Sequence, residues 1–342
     1  MTENTTNTTI ATAELTPSVR FTNSVVKHYK NNAGAVEMTE FQKQLVQGYF
    51  VAIDRVLAAT EEERLRKNAN NKDHKYDNTL ACSWQTIDME QLALDVVHYS
   101  KMGLDMMQEN HLFAIPYKNN KKNAYDMTLM IGYSGKELIA KKYALEPPTA
   151  VTVELVYSTD TFIPIKKGNG QRIESYEFKI NNPFDRGEIL GGFGYIEYDD
   201  PAKNKLIVMT KAQIEKRKPK YASANFWGGI TTGYENGKKV EMQTDGWYDE
   251  MCLKTLKREV YSSKHIVRDP AKIDSAYRHM KVREAQVAEI EAEAEIAANA
   301  NTIIIDTTAE PTPQPPKEMP QEATAPTYTA PTTTAVDETP DF

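Results

Sequence analysis

The sequence predicts an α+β fold: a mainly antiparallel sheet with helices packed on it, an N-terminal helical part and disordered termini. Three observations carry this. Apolar residues recur with helical period up to Gly103, then alternate in strand-like fashion from His111 onward. The strand-like runs are joined by turn-forming segments, with no regular β-α-β alternation and no internal repeat. Thr or Asp followed three residues later by Gln marks helix starts at Thr39, Asp88 and Thr210.

In chain order, residues 1–18 are rich in Thr and Asn and hold too little apolar surface to offset the entropy of ordering. We draw the disordered polar leader over 1–24, with Val19 to Val26 a short apolar patch to which no role attaches. Phe41, Leu45, Tyr49, Ile53, Val56 and Leu57 then keep helical period until the polar run Asn68 to Asn78 breaks it. A second helix opens at Asp88, carries Leu92, Val96, Val97 and Tyr99, and reaches Gly103, a residue suited to a C-cap. HLFAIPY and AYDMTLMIGY read as a hairpin with a Lys-bearing tip, and Ser134 with Glu137 is expected to cap the short helix that stops before Pro147. AVTVELVYS, TFIPI and SYEFKI are further strands. GGFGYIEYDD and KLIVM form another hairpin across PAKN, followed by the helix KAQIEKRK, which Pro219 ends. Tyr221 to Asp245 is a loop or small hairpin excursion, and the α+β body runs over 25–270. Residues 271–300 read as a helical extension with its bases first and its acids last, against the helix dipole; it is expected to fray or to need a partner. From 301 to 342 the chain is a disordered acidic tail rich in Pro and Thr.

The formal net charge of -7 hides a segregation. Glu284 to Phe342 holds 12 acids and one base, leaving residues 1–283 with 40 bases and 36 acids. A mildly basic body with an acidic tail is a common arrangement in proteins that bind polyanions. Cys82 and Cys252 lie far apart, with no CxxC and no Cys/His grouping at metal-ligand spacing, which points to reduced thiols in a cytoplasmic setting. No run of apolar residues is long enough for a membrane span, so no membrane partner is expected.

The basic residues concentrate in two places. Lys203 to Lys220 holds seven bases (Lys216 and Arg217 among them) and one acid, Glu215; Lys254 to Arg268 holds five bases and one acid, Glu259. In the second stretch Cys252, Leu253, Leu256 and Val260 share one helical face, while Lys254, Lys257, Arg258, Tyr261 and Lys264 share the other. Such a face serves either as a solvated surface or as a support for a run of phosphates. Two clusters flanking one aromatic loop favour the second use, with Phe226, Trp227, Tyr234 or Trp247 available to stack on unpaired bases unless they pack in the core. Enzyme readings find less. Glu197, Asp199 and Asp200 resemble a magnesium site but immediately precede a turn that favours Asp on its own account. GGFGYIE lacks both the Lys-Ser/Thr ending of a P-loop and a following helix, and is expected to be a strand closely approached by another backbone.

From about Asp88 to Arg268 the chain resembles the RecT family of phage single-strand annealing proteins. The resemblance rests on an ordered series: KMGLDM, HLFAIPY, IGYSGKELIAKK, GGFGYIEY followed by VMTKAQIEKRKPKY, and WYDEMCLKTLKREVYSSK. Within the last block, Asp249, Met251, Lys254, Thr255 and Arg258 match the family's Asp-x-Met-x-x-Lys-Thr-x-x-Arg pattern. The loop 222–246 is longer than the family leads one to expect. The resemblance implies a non-enzymatic recombinase that binds single-stranded DNA and the nascent duplex, anneals complementary strands without ATP, and works as a ring or helical homo-oligomer. It further implies magnesium as at most a modulator, and a phage exonuclease and host single-strand-binding protein as partners in the bacterial cytoplasm. The residues expected at DNA are Lys254, Lys257, Arg258, Lys264, Lys216, Arg217, Lys136 and Lys141, with Tyr133 and Trp247 as aromatic contacts. The alternatives are a single-stranded DNA-binding replication accessory protein that does not anneal, and a metal-dependent nuclease.

Overall fold

A computed structural model describes residues 15–33, 38–71, 74, 77–219, 222–235 and 238–300. The acidic tail and most of the polar leader lie outside these residues.

The first core is helical. Helix α1 (Pro17–Ala33) places Phe21, Val25 and Tyr29 on one buried stripe, four residues apart. Residues 17–24, assigned above to a disordered leader, are therefore the first half of a packed helix; three apolar side chains in a polar segment escape a compositional average but not a helical period. Helix α2 (Glu40–Ala69) starts in the expected capping box, Gln42 N–H donating to Thr39 Oγ1 at 3.2 Å and Thr39 N–H to Gln42 Oε1 at 3.0 Å. Helix α3 (Met89–Met102) is capped by Asp88 and ends at Gly103, whose φ of 85° is left-handed. Phe21, Phe50 and Trp84 cluster where these helices meet, Phe50 stacked on Trp84 with centroids 5.0 Å apart and Phe21 tilted against both.

The hairpin β1 (Leu112–Asn119) and β2 (Ala124–Ile131) leads into helix α4 (Tyr133–Lys142). Ser134 and Glu137 do not cap this helix. Asn110, held at φ 58°, turns its carbonyl onto the N–H groups of Ser134 (3.1 Å) and Gly135 (3.3 Å), which satisfies the exposed helix start from upstream.

The second core is built on a three-stranded antiparallel sheet, in the order β3 (Ala150–Tyr157), β6 (Ile189–Glu197), β7 (Lys205–Thr210). Ribbons β4 (Thr161–Ile165) with β5 (Ser175–Lys179), and β8 (Gly229–Glu235) with β9 (Lys238–Thr244), are separate two-stranded sheets, so the expected antiparallel strands divide among small sheets. Helix α5 (Lys211–Glu215) opens with the Thr210–Gln213 capping box, and a short α6 (Ala224–Trp227) precedes β8.

Strand β6 decides where the basic helix α7 (Tyr248–Val260) sits. Its alternate residues face opposite ways: Phe193 and Tyr195 pack with Phe162, Tyr176 and Phe178, while Ile196 joins Cys252, Leu256 and Val260 of α7. On the α7 side stand Gly192 and Gly194. A Cβ on Gly192 would lie 2.6 Å from Leu256 Cδ2, and one on Gly194 would overlap Val260. The close approach expected at GGFGYIE is thus that of a helix rather than of another backbone strand alone, although the Gly191 position also meets the β7 backbone.

The first half of helix α8 (Ser275–Ala300) is packed, where the sequence led one to expect a frayed or partner-dependent extension. Ala276, Tyr277 and Met280 are buried in the first core, and Asp95 of α3 holds both His279 (2.7 Å) and Arg283 (3.0 Å). Asp274 offsets the unfavourable charge order by accepting the Tyr277 N–H at 2.9 Å. Among the described residues no helix is long and apolar enough to cross a membrane.

Candidate nucleic-acid interface

With its apolar stripe seated on the β6 glycines, α7 turns Lys257 and Arg258 toward α4, with Lys254 near Arg258. The Lys257 ammonium lies 4.3 Å from the centroid of the Tyr133 ring, a cation–π distance. Asn110 fixes that ring by donating its side-chain N–H to Tyr133 Oη at 2.8 Å. Lys254 is half-buried, and burial, helped by the positive charge of Arg258, pushes its pKa down. Lys136 of α4 is also depressed: burial and Arg258 lower it against the opposing pull of Glu284, whose carboxylate is 3.1 Å away. Arg258 is therefore near enough to both ammonium groups to disfavour their charged forms. Like charges held together in partial burial are costly alone and gain most when an anion arrives.

A second basic region lies on the other flank, in a cleft of about 1090 Å³ between α5, β7 and the turn after α7. Lys216, Arg217 and Lys264 line it, together with Lys166, Lys167 and Lys205. Its charges are largely answered from within. Glu259 receives Arg217 at 2.9 Å, His265 at 3.0 Å and Lys264 at 3.1 Å. Burial works to raise the Glu259 pKa, but these partners outweigh it and hold the carboxyl below its usual value. Lys166 is tied to Glu174 at 2.9 Å, and Lys205 donates to the His265 carbonyl at 2.7 Å.

The structure thus sorts the expected residues into two groups: Tyr133, Lys136, Lys254, Lys257 and Arg258 on one flank of α7, and Lys216, Arg217 and Lys264 on the other. Lys141 joins neither; it pairs with Glu137 at 2.7 Å one helical turn away. Tyr261, placed above on the basic face, is buried in the second core. Helix α7 ends at Val260, so helical spacing no longer governs Tyr261. Trp247, at the N-cap of α7, is 65% exposed and its backbone N–H donates to the Phe226 carbonyl at 2.9 Å; Phe226 is 53% exposed. These two rings are open to a ligand. Trp227 is a core residue, edge-on to Tyr248. Lys220 and the Tyr234 side chain lie outside the described residues.

Sequence reasoning missed Lys166, Lys167, Arg268 and Lys281. The KK pair directly after TFIPI was the available signal for the first two. Asp200 caps the 3-10 turn Pro201–Lys203 by accepting the Ala202 N–H at 2.9 Å, which gives it a structural role. Among the described residues no group of three or more His, Cys, Asp or Glu side chains is placed to hold a metal.

No curated protein and no solved structure shows significant similarity to the chain. The family model for the RecT family matches residues 77–263, a span that holds the β1–β2 hairpin, the three-stranded sheet and all of α7. That match covers more than half of the 342 residues, and the chain belongs to the RecT family of single-strand annealing recombination proteins.

Proposed function

We propose that this protein binds single-stranded DNA and anneals it to its complement without ATP, acting as a homo-oligomer in phage recombination in the bacterial cytoplasm. The observation that carries the reading is the cluster at the α4–α7 junction, where Lys257 rests on the Tyr133 ring and Lys136 and Lys254 lie near Arg258. Cations on a rigid helix hold a strand by its phosphates and leave the base edges free. Watson–Crick pairing then reads the sequence, and protein groups touching both backbones stabilise the new duplex. No bond is made or broken, which gives magnesium at most a modulating part. Exposed Trp247 and Phe226 are suited to stacking on bases before they pair. A phage exonuclease that supplies single strands and a host single-strand-binding protein are the partners this activity calls for.

The test is annealing of two complementary oligonucleotides without ATP, followed by imaging of the product complex. The proposal expects pairing to be accelerated and the product to sit in rings or filaments. Tight binding without acceleration would instead identify a replication accessory protein. If about four phosphates are neutralised per protomer, the logarithmic salt slope for single strands is about -3.

A further inference from the structure

Helix α8 reaches the α4–α7 junction with an acid. Glu284 accepts from Lys136 at 3.1 Å and from Lys281 at 2.8 Å, and it closes a small pocket of about 110 Å³ that Arg258, Arg268 and Ser262 also line. Four cationic side chains thus surround one carboxylate. Arg258 has no acidic partner among the described residues. Arg268 spends two of its nitrogens on the carbonyls of Ile266 (2.5 Å) and Tyr261 (2.7 Å), but its buried Nε has no hydrogen-bond partner; neither has the buried Ser262 Oγ. Buried donors without acceptors are uncommon and costly, and here two of them line the same positively charged pocket.

We infer that this pocket is a phosphate subsite whose place Glu284 fills in the free protein, and that one DNA backbone phosphate displaces the Glu284 carboxylate on binding. The inference rests on the single-stranded DNA reading above. A phosphodiester carries the same single charge as a carboxylate but spreads it over a tetrahedral group, which can reach Arg258, Arg268 Nε and Ser262 together with Lys136. Displacement does not require the whole of α8 to leave. His279 and Arg283 stay fixed to Asp95, so only the Glu284 side chain, or the helix beyond Arg283, has to move.

The experiment is fluorescence-anisotropy titration of a labelled oligo-dT by the full chain over a series of salt concentrations, comparing Glu284→Gln with Glu289→Gln. Glu289 is an exposed acid on the same helix, so it controls for a general change of charge. Removing the competing carboxylate is expected to tighten binding about fivefold at about 0.1 M salt, the worth of one ion pair that no longer has to be broken, while the salt slope stays near the wild-type value because the same phosphates are neutralised. Glu289→Gln should not tighten binding, and adding Lys136→Ala to Glu284→Gln should abolish the tightening. A Glu284→Gln protein that keeps its helical circular dichroism yet binds no more tightly than Glu289→Gln overturns the inference while leaving the DNA-binding reading intact. Wild-type protein that shows no salt-dependent binding refutes that reading itself. Should Glu284→Gln lose helix, Glu284→Asp, which keeps the charge and draws it back by one methylene, is read in the same way, with a smaller effect expected.

Discussion

The two flanks of α7 carry similar numbers of bases but differ in how far those charges are paired. On the α4 side, Lys254 is half-buried and Arg258 exposed, neither with an acid partner among the described residues, and Lys257 rests on a tyrosine ring. On the α5 side, Arg217, Lys264 and His265 converge on Glu259. A count of lysines and arginines does not distinguish these regions; on the α5 side Glu259 takes Arg217 and Lys264, whereas on the α4 side Glu284 takes Lys136 and leaves Lys254 and Arg258 without an acid partner among the described residues. Charge that is already neutralised releases fewer counterions when DNA arrives, so the α4 flank should supply most of the binding and the α5 flank should mainly brace α5 against α7.

The largest effect is expected where both flanks share a support. Gly194→Val places a side chain where Val260 stands and forces α7 off β6. Over-packing of this kind costs about 1–3 kcal/mol or more, so thermal denaturation should show a marked fall in Tm, and anisotropy should show loss of DNA binding on both flanks together. A folded variant of unchanged Tm would mean that the glycines do not seat the helix.

Next in size, Lys254→Ala with Arg258→Ala removes the unneutralised pair. With two phosphates left unneutralised at about 0.1 M salt, single-strand affinity should weaken about 25-fold, uniformly across sequences. Lys216→Ala with Lys264→Ala, read in the same assay, should cost less than about fivefold, because Lys264 is already paired with Glu259. An equal loss in both variants would erase the distinction between the flanks.

The smallest effect separates the flanks by pH. His98 of α3 stacks on His279 of α8 with ring centroids 4.2 Å apart, and its buried Nδ1 has no hydrogen-bond partner. Burial first, then the neighbouring His279 and Lys101, press its pKa down to about 4 from the ordinary 6.5, with Asp274 opposing. Between those values the unfolded chain binds more protons than the folded one, so stability present above pH 6.5 drains away as pH falls toward 4. The loss acts where α8 docks, near the α4 flank. Wild type should therefore lose more Tm between neutral pH and about pH 5 than His98→Asn does, as differential scanning fluorimetry would show; parallel curves would remove His98 from the account.

Local signals in the sequence were readable wherever the stabilising partner was also local. The capping boxes at Thr39 and Thr210, the Gly103 C-cap and the apolar stripes of α2, α3 and α7 all lie within one or two helical turns. What escaped was set by distance along the chain. The cap of α4 comes from Asn110, on the far side of a hairpin; α8 is held by Asp95, 188 residues before Arg283; and Lys166 and Lys167 reach the α5 cleft from a separate ribbon. Among the site residues, Lys254, Lys257 and Arg258 were legible because α7 keeps its period through Val260, and Tyr261 was misread because the helix stops there. Glu259 was visible as one acid among five bases. That Arg217, Lys264 and His265 would fold onto it was not, because Arg217 comes from beyond another helix and Lys264 and His265 from a turn.

The most direct measurement is the salt dependence of single-strand affinity for wild type and the two double variants, taken over one range of salt. The account predicts a wild-type logarithmic slope of about -3, made shallower by about 1.4 in Lys254→Ala/Arg258→Ala and by well under half of that in Lys216→Ala/Lys264→Ala. Slopes that fall equally in the two variants, or that stay at the wild-type value without Lys254 and Arg258, would contradict the assignment of the phosphate clamp to the α4 flank of α7.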